Sequence, residues 1–146
     1  MFNSLLFVCV GNICRSPMAA GVFANRLTGE SRIIIDSAGL YAVVDSPAVS
    51  EAQQVMQEIN IDISGHRAKQ LTCAMISSAD LVLVMEQEHK QAVEKIMPAS
   101  RGKVYLLGKW SGFEVPDPYC KPVEAFSKCL QLIERAWQDW QFRIIK

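Results

Sequence analysis

Two uninterrupted apolar runs, Leu5–Val10 (LLFVCV) and Leu81–Met85 (LVLVM), constrain the fold more than any other feature of this chain. A strand with one wet face alternates apolar and polar residues, so unbroken runs predict strands covered on both faces. A second β-branched run, Ile33 to Ile35, ends at Asp36-Ser37-Ala38-Gly39, and Lys103 to Leu107 reads as a fourth strand. Between these runs the apolar period lengthens to that of helices. Ser16-Pro17 reads as a helix start, with Ser as cap and Pro at the first position. Met18, Val22, Phe23 and Leu27 then give that helix its inner face. Ser50 to Asn60 reads as a helix with Val55, Met56 and Ile59 inward, and Thr72 is placed to cap a short helix. A further helix follows Met85 to about Met97, where Pro98 ends it. From about Pro122 the series Phe126, Leu130, Ile133, Trp137 marks a long amphipathic helix. The expected architecture is α/β: one domain over residues 1–146, a four-stranded parallel sheet with helices on both faces.

In such sheets the ligand sits beyond the carboxyl ends of the strands, where strand order reverses. The segment at the end of the first strand, Cys9-Val10-Gly11-Asn12-Ile13-Cys14-Arg15-Ser16, is dense in polar and reactive groups. A loop this short, joining a strand end to a helix N-terminus, can point several N–H groups at one centre and make an anion site. Gly11 would supply backbone freedom, and Asn12 tolerates left-handed conformations. Arg15 adds a planar fork of donors that matches the oxygens of a phosphoryl group. A thiol beside a helix N-terminus and a cation is favoured as thiolate, so Cys9 would be a nucleophile aimed at phosphorus. Singly, each residue is better read as a buried cysteine, a surface arginine and a turn; jointly they read as a site. The nucleotide loop G-x4-G-K-[ST] is absent, since Gly11 has no second glycine and no lysine in register.

Local chemistry is needed because the chain has no global field. Fifteen basic residues balance fifteen acidic ones among 146, which argues against nucleic acid or an anionic membrane as partner. No stretch reaches the roughly 20 apolar residues of a membrane span, and MFNSLLFVCV has no basic n-region, so a cytoplasmic protein is expected. Five scattered cysteines, at 9, 14, 73, 120 and 129, do not form a disulfide framework and are expected as thiols. No metal or cofactor is expected.

The loop C-V-G-N-I-C-R-S resembles the signature of the low-molecular-weight protein tyrosine phosphatases. Asp36-Ser-Ala-Gly, Gly65-His66-Arg-Ala-Lys-Gln-Leu, Asp80-Leu-Val-Leu-Val-Met, Gly102-Lys-Val and Pro116-Asp-Pro-Tyr resemble further blocks of that family, in the same order. The resemblance implies hydrolysis of protein phosphotyrosine through a cysteinyl-phosphate. Cys9 is then the nucleophile, and Arg15 with the loop amides binds phosphate. Asp117 serves as general acid and then base; without the resemblance it would be a turn residue between two prolines. The resemblance also implies that Ser16 holds the thiolate, that Ser37 and His66 support Asn12, and that Tyr119 lines the phosphotyrosine ring. Tyr41 is a second candidate wall, and Cys14 a redox partner that bonds Cys9 under oxidation. His89, in the charged stretch EQEHKQ, is expected exposed and silent.

The chain departs from many relatives at Cys120, where another aromatic is common, and at Ala20, where Glu is common. Two alternatives share the fold. An arsenate reductase needs a resolving cysteine relay, which Cys73, Cys120 and Cys129 are poorly placed to supply. A phosphoarginine phosphatase tends to carry Thr where this chain has Ile13, and a bulkier apolar wall suits an aryl phosphate. The spellings look bacterial, which implies as partner a tyrosine-phosphorylated protein, a tyrosine autokinase governing surface polysaccharide export. A monomer is expected.

Overall fold

The computed structural model describes residues 2–30 and 32–145. Four strands, β1 (Ser4–Cys9), β2 (Ile34–Gly39), β3 (Leu81–Val84) and β4 (Val104–Leu106), form one sheet in the order β2-β1-β3-β4. Every pairing is parallel, with Cys9 opposite Gly39 and Val8 opposite Val84. Five helices surround it: α1 (Arg15–Arg26), α2 (Ser50–Gln57), α3 (Cys73–Ser78), α4 (Gln87–Ile96) and α5 (Val123–Ile144). Among the described residues, no helix is long and apolar enough to cross a membrane.

The unbroken apolar runs are explained by the layers. Leu5, Phe7, Leu81 and Leu83 pack with α1, α2 and α5, while Leu6, Val8, Val82 and Val84 pack with Ile76 of α3 and Val93 of α4. Successive side chains of a strand point to opposite faces, and here both faces are dry. An edge-to-face series from Phe7 to Phe23 (4.8 Å) and on to Trp137 (5.2 Å) locks β1, α1 and α5 together. The chain leaves β1 toward β2 on one side and returns to β3 on the other. Strand order therefore reverses beside β1, which puts the loop after Cys9 at the switch point.

Most element boundaries follow the sequence expectations, and three differ for physical reasons. β2 continues through the polar Asp36 and Ser37 to Gly39, because pairing with β1 along its whole length satisfies the backbone. α2 ends near Gln57 in a Schellman turn: Ile61 N–H donates to Met56 O and Asn60 N–H to Gln57 O, with Asn60 left-handed at φ 61°. Ser16 is not a helix cap and Pro17 is not the first helical residue. α1 begins at Arg15, and Cys14 precedes it with no side-chain cap. The first-turn amides of α1 are thus left for something else. Thr72 does cap α3, its Oγ1 accepting from Met75 N–H at 3.2 Å.

Candidate active site

Each carbonyl of residues 9 to 14 is turned outward and tied down. Cys9 O accepts from Leu40 N–H (2.9 Å), Val10 O from Tyr41 N–H (2.9 Å) and Gly11 O from Val43 N–H (3.0 Å). Asn12 O accepts from His66 Nε2 (2.7 Å), Ile13 O from Val49 N–H (2.9 Å) and Cys14 O from Met18 N–H (3.2 Å). No amide from Gly11 through Arg15 finds an acceptor among the described residues. Buried amides are nearly always paired in folded proteins, so a run of five spare donors is a binding feature.

One side chain holds this loop open from within. Asn12 is fully buried and left-handed at φ 59°. Its Nδ2 donates to Ser16 Oγ (2.7 Å) and Ser37 Oγ (3.0 Å), while its Oδ1 accepts from Lys69 N–H (2.9 Å). All three polar groups of the side chain are therefore satisfied, which fixes the loop against collapse. The Asn12 carbonyl can only accept, so His66 carries its proton on Nε2. Burial, the largest influence, holds His66 below its usual range, and nearby Lys69 and Arg67 act the same way. It is a neutral donor near pH 7. The left-handed conformation falls on Asn12, the residue expected to tolerate it, and Gly11 does not adopt one.

Gly39 matters more than Gly11. A Cβ there would overlap the Val10 carbonyl oxygen and crowd the Asn12 side chain at 3.1 Å. Gly39→Ala is expected to destabilise the fold by about 1–3 kcal/mol, the range of overpacking, and to lower kcat/KM by displacing the loop. Denaturant midpoints and steady-state rates check this; an unchanged pair would show that the loop yields freely.

Cys9 lies at the base of a cavity of about 230 Å³, bounded by Val10, Ile13, Arg15, Tyr41, Asp117 and Tyr119 among others. Its Sγ is 2.9 Å from Ser16 Oγ. Since that oxygen already accepts from Asn12, its own proton is free for the sulfur. Arg15, also buried, is gripped from behind: its Nη1 donates to Glu86 Oε2 and to Val115 O (2.8 Å). Its Nη2 stands 4.0 Å from Asp117 Oδ2. Asp117 is exposed, with Oδ1 accepting from Tyr119 N–H at 3.0 Å, an Asx turn that aims the carboxylate. Tyr119 and Tyr41 are 53% and 82% exposed, so both walls are open to an incoming ring. Cys120 just outside is left-handed (φ 63°) and exposed.

The cysteines are free thiols. Burial pushes Cys14 up to about 12 and Cys129 up to about 11, the neighbouring Cys9 adding to the first. Both are protonated at neutral pH. Cys129 Sγ donates to Pro116 O at 3.2 Å, which bolts α5 to the segment carrying Asp117.

Three participants were not foreseen from sequence. Glu86 is the second residue beyond β3, after Met85, and pairs with Arg15. Val115 contributes a carbonyl, and Lys69 an amide. Only Glu86 left a signal, as a carboxylate following an apolar strand at the carboxyl edge of the sheet. His89 is corrected: it is 2% exposed, buried on the same face of α4 as Val93 four residues on. Its charged neighbours concealed that register.

A parallel α/β sheet whose first strand ends in a thiol, spare amides and a guanidinium defines a phosphatase that works through cysteine. The comparisons with known proteins give the family. The model for low molecular weight phosphotyrosine protein phosphatase matches residues 4–146. A probable low molecular weight protein-tyrosine-phosphatase EpsP of Ralstonia nicotianae is 44% identical, over 99% of this chain and 97% of its own. The Vibrio vulnificus Wzb structure in complex with benzylphosphonate superposes with TM-score 0.92 at 40% identity, covering 98% of this chain and 99% of that one. The YwlE arginine phosphatase has TM-score 0.91 at only 28% identity, covering 98% and 96%. The chain belongs to the low molecular weight phosphotyrosine protein phosphatase family. It is a hydrolase of protein phosphotyrosine.

Proposed function

We propose that hydrolysis runs through the residues gathered at the end of β1. The phosphotyrosyl dianion enters the cavity with its ring between Tyr41 and Tyr119, and its oxygens meet the amides of residues 11 to 15. Arg15 adds the remaining donors, its Nη1 already occupied by Glu86 and Val115, so that Nη2 and Nε face the substrate. These donors neutralise the transferring group where its charge sits. Cys9 Sγ attacks phosphorus: the S–P bond forms, the P–O bond to tyrosine breaks, and Asp117 gives its proton to the departing oxygen. Asp117, now a carboxylate, takes a proton from water. That oxygen attacks phosphorus, the S–P bond breaks, and phosphate and the thiolate are released. The Ser16 hydroxyl stabilises the sulfur anion in both steps. Cys14, protonated in the resting enzyme, is the partner for a reversible Cys9–Cys14 bond under oxidation.

The single observation that carries this reading is the outward anchoring of six consecutive loop carbonyls, which leaves the amides of the same loop unspent. The apolar Ile13 beside the cavity suits an aryl ester better than a guanidino-phosphate. The physiological substrate is a tyrosine-phosphorylated autokinase governing surface polysaccharide export, met by a monomer in the cytoplasm.

Turnover without added metal of para-nitrophenyl phosphate, of phosphotyrosine, phosphoserine and phosphoarginine peptides, and of a phosphorylated autokinase tests it. Phosphotyrosine and the kinase should be the favoured substrates. Preference for phosphoarginine would replace the reading with the arginine one, and an untouched kinase would remove that partner.

A further inference from the structure

His89 is buried at the first turn of α4, directly behind the arginine grip, and the mechanism above does not use it. Its Nδ1 stands 3.2 Å from the Glu86 amide nitrogen. That amide can only donate, so Nδ1 accepts and the ring proton resides on Nε2. Nε2 is sealed from solvent and has no hydrogen-bond partner among the described residues. The nearest carboxylate oxygen facing it is Glu86 Oε2, at 3.8 Å, the same oxygen that receives Arg15 Nη1. A buried N–H left about one ångström short of a carboxylate has a strong pull toward it, since closing the gap satisfies an otherwise stranded donor. The ring stays neutral for reasons of place: burial foremost, then the Arg15 charge, outweigh Glu86, Glu88 and Glu114 around it.

We propose that His89 is a positioning residue for phosphoryl transfer, its Nε2–H holding the Glu86 oxygen that fixes the Arg15 guanidinium from behind. This rests on the proposed role of Arg15 in binding the phosphoryl group. The two anchors act on one carboxylate from two sides. Arg15 Nη1 takes one lone-pair direction of Oε2, and His89 takes another when the pair closes. A carboxylate held only by the arginine would follow it; one held also by His89 resists, and the guanidinium keeps its place as the dianion arrives. Misplacement of a group by an ångström is enough to cost large factors in rate.

The test uses two replacements of His89 that keep different halves of the ring. His89→Asn keeps an acceptor near Nδ1 and lacks Nε2, whereas His89→Gln can set an amide N–H near Nε2. With para-nitrophenyl phosphate at pH 7, H89N is expected to lower kcat about tenfold and to weaken competitive inhibition by inorganic phosphate. H89Q should recover more than half of both losses. In an E86Q background, H89N should have almost no further effect, because the oxygen it acts through no longer carries the charge. Thermal midpoints are measured beside the rates, and H89L replaces H89N in the same cycle if H89N does not fold. Rates and phosphate inhibition within twofold of wild type, or losses that add fully to those of E86Q, overturn the proposal. A wild-type chain that fails to turn over the aryl phosphate overturns the underlying role of Arg15, and this proposal with it.

Discussion

Cys9→Ser is expected to abolish turnover of aryl phosphates, by at least about 10⁴-fold, the scale on which loss of a covalent nucleophile is felt in other hydrolases. That is a barrier increase of about 5.5 kcal/mol. The hydroxyl that replaces the thiol keeps its proton at neutral pH, and Asp117, which holds its own proton for the leaving group in this step, cannot take it. The Ser16 hydroxyl, 2.9 Å from the sulfur, can help hold an anion but cannot remove a proton to create one. Phosphate binding should survive, because it resides in the loop amides and Arg15. It should even tighten wherever the native thiolate repels the dianion. Inhibition of a residual phosphatase cannot report this, so binding is read by calorimetry or by phosphorus NMR line broadening. Retained hydrolysis within tenfold would remove Cys9 from the nucleophilic role. Loss of phosphate binding together with hydrolysis would show that the variant loop had collapsed.

Asp117→Asn should slow poor leaving groups most, by about 10²–10⁴-fold for phenyl phosphate, the usual worth of a positioned proton donor. The amide keeps an oxygen for the Tyr119 N–H, so the turn that aims residue 117 persists. What it lacks is a proton for the phenolate and, afterwards, a base for water. The two defects separate by leaving group. With para-nitrophenyl phosphate the ester oxygen leaves unaided, the second step becomes limiting, and a burst of nitrophenol should precede slow turnover. With phenyl phosphate the first step limits and no burst appears. Equal slowing across a series of leaving groups, without a burst, would transfer the acid role elsewhere. The carboxylate is exposed, so water reaches it between the two steps.

The site divides into parts that are local in sequence and parts that are not. Cys9, Asn12, Arg15 and Ser16 span eight residues, and a strand running into a helix imposes their geometry; the motif alone displays them. The left-handed Asn12 follows from its own side chain, which tolerates that conformation. Asp117, Ser37 and His66 became legible only through resemblance to known blocks, because a turn aspartate, a strand serine and a lone histidine have commoner uses. The error at His89 has a specific cause. EQEHKQ reads as a wet surface when composition is averaged, yet His89 and Val93 are four apart and share the inner face of α4. The misplaced cap at Ser16 has another: an N-cap preference presumes that a helix's first amides take an internal side-chain partner, and α1 has none.

By itself, the amino-acid sequence determined the layer architecture and the first loop. Dry strands on both faces and helical apolar periods are encoded by neighbouring residues, whose spacing is fixed by the covalent chain. Only the tertiary structure decided that Glu86 grips Arg15 across 71 positions, that Val115 O closes the grip from 100 positions away, and that five loop carbonyls find donors in residues 40, 41, 43, 49 and 66. Hydrogen bonds are short-ranged and directional, so which distant groups satisfy one another depends on how the layers pack. Packing is a property of the whole chain, not of any segment that could be read alone.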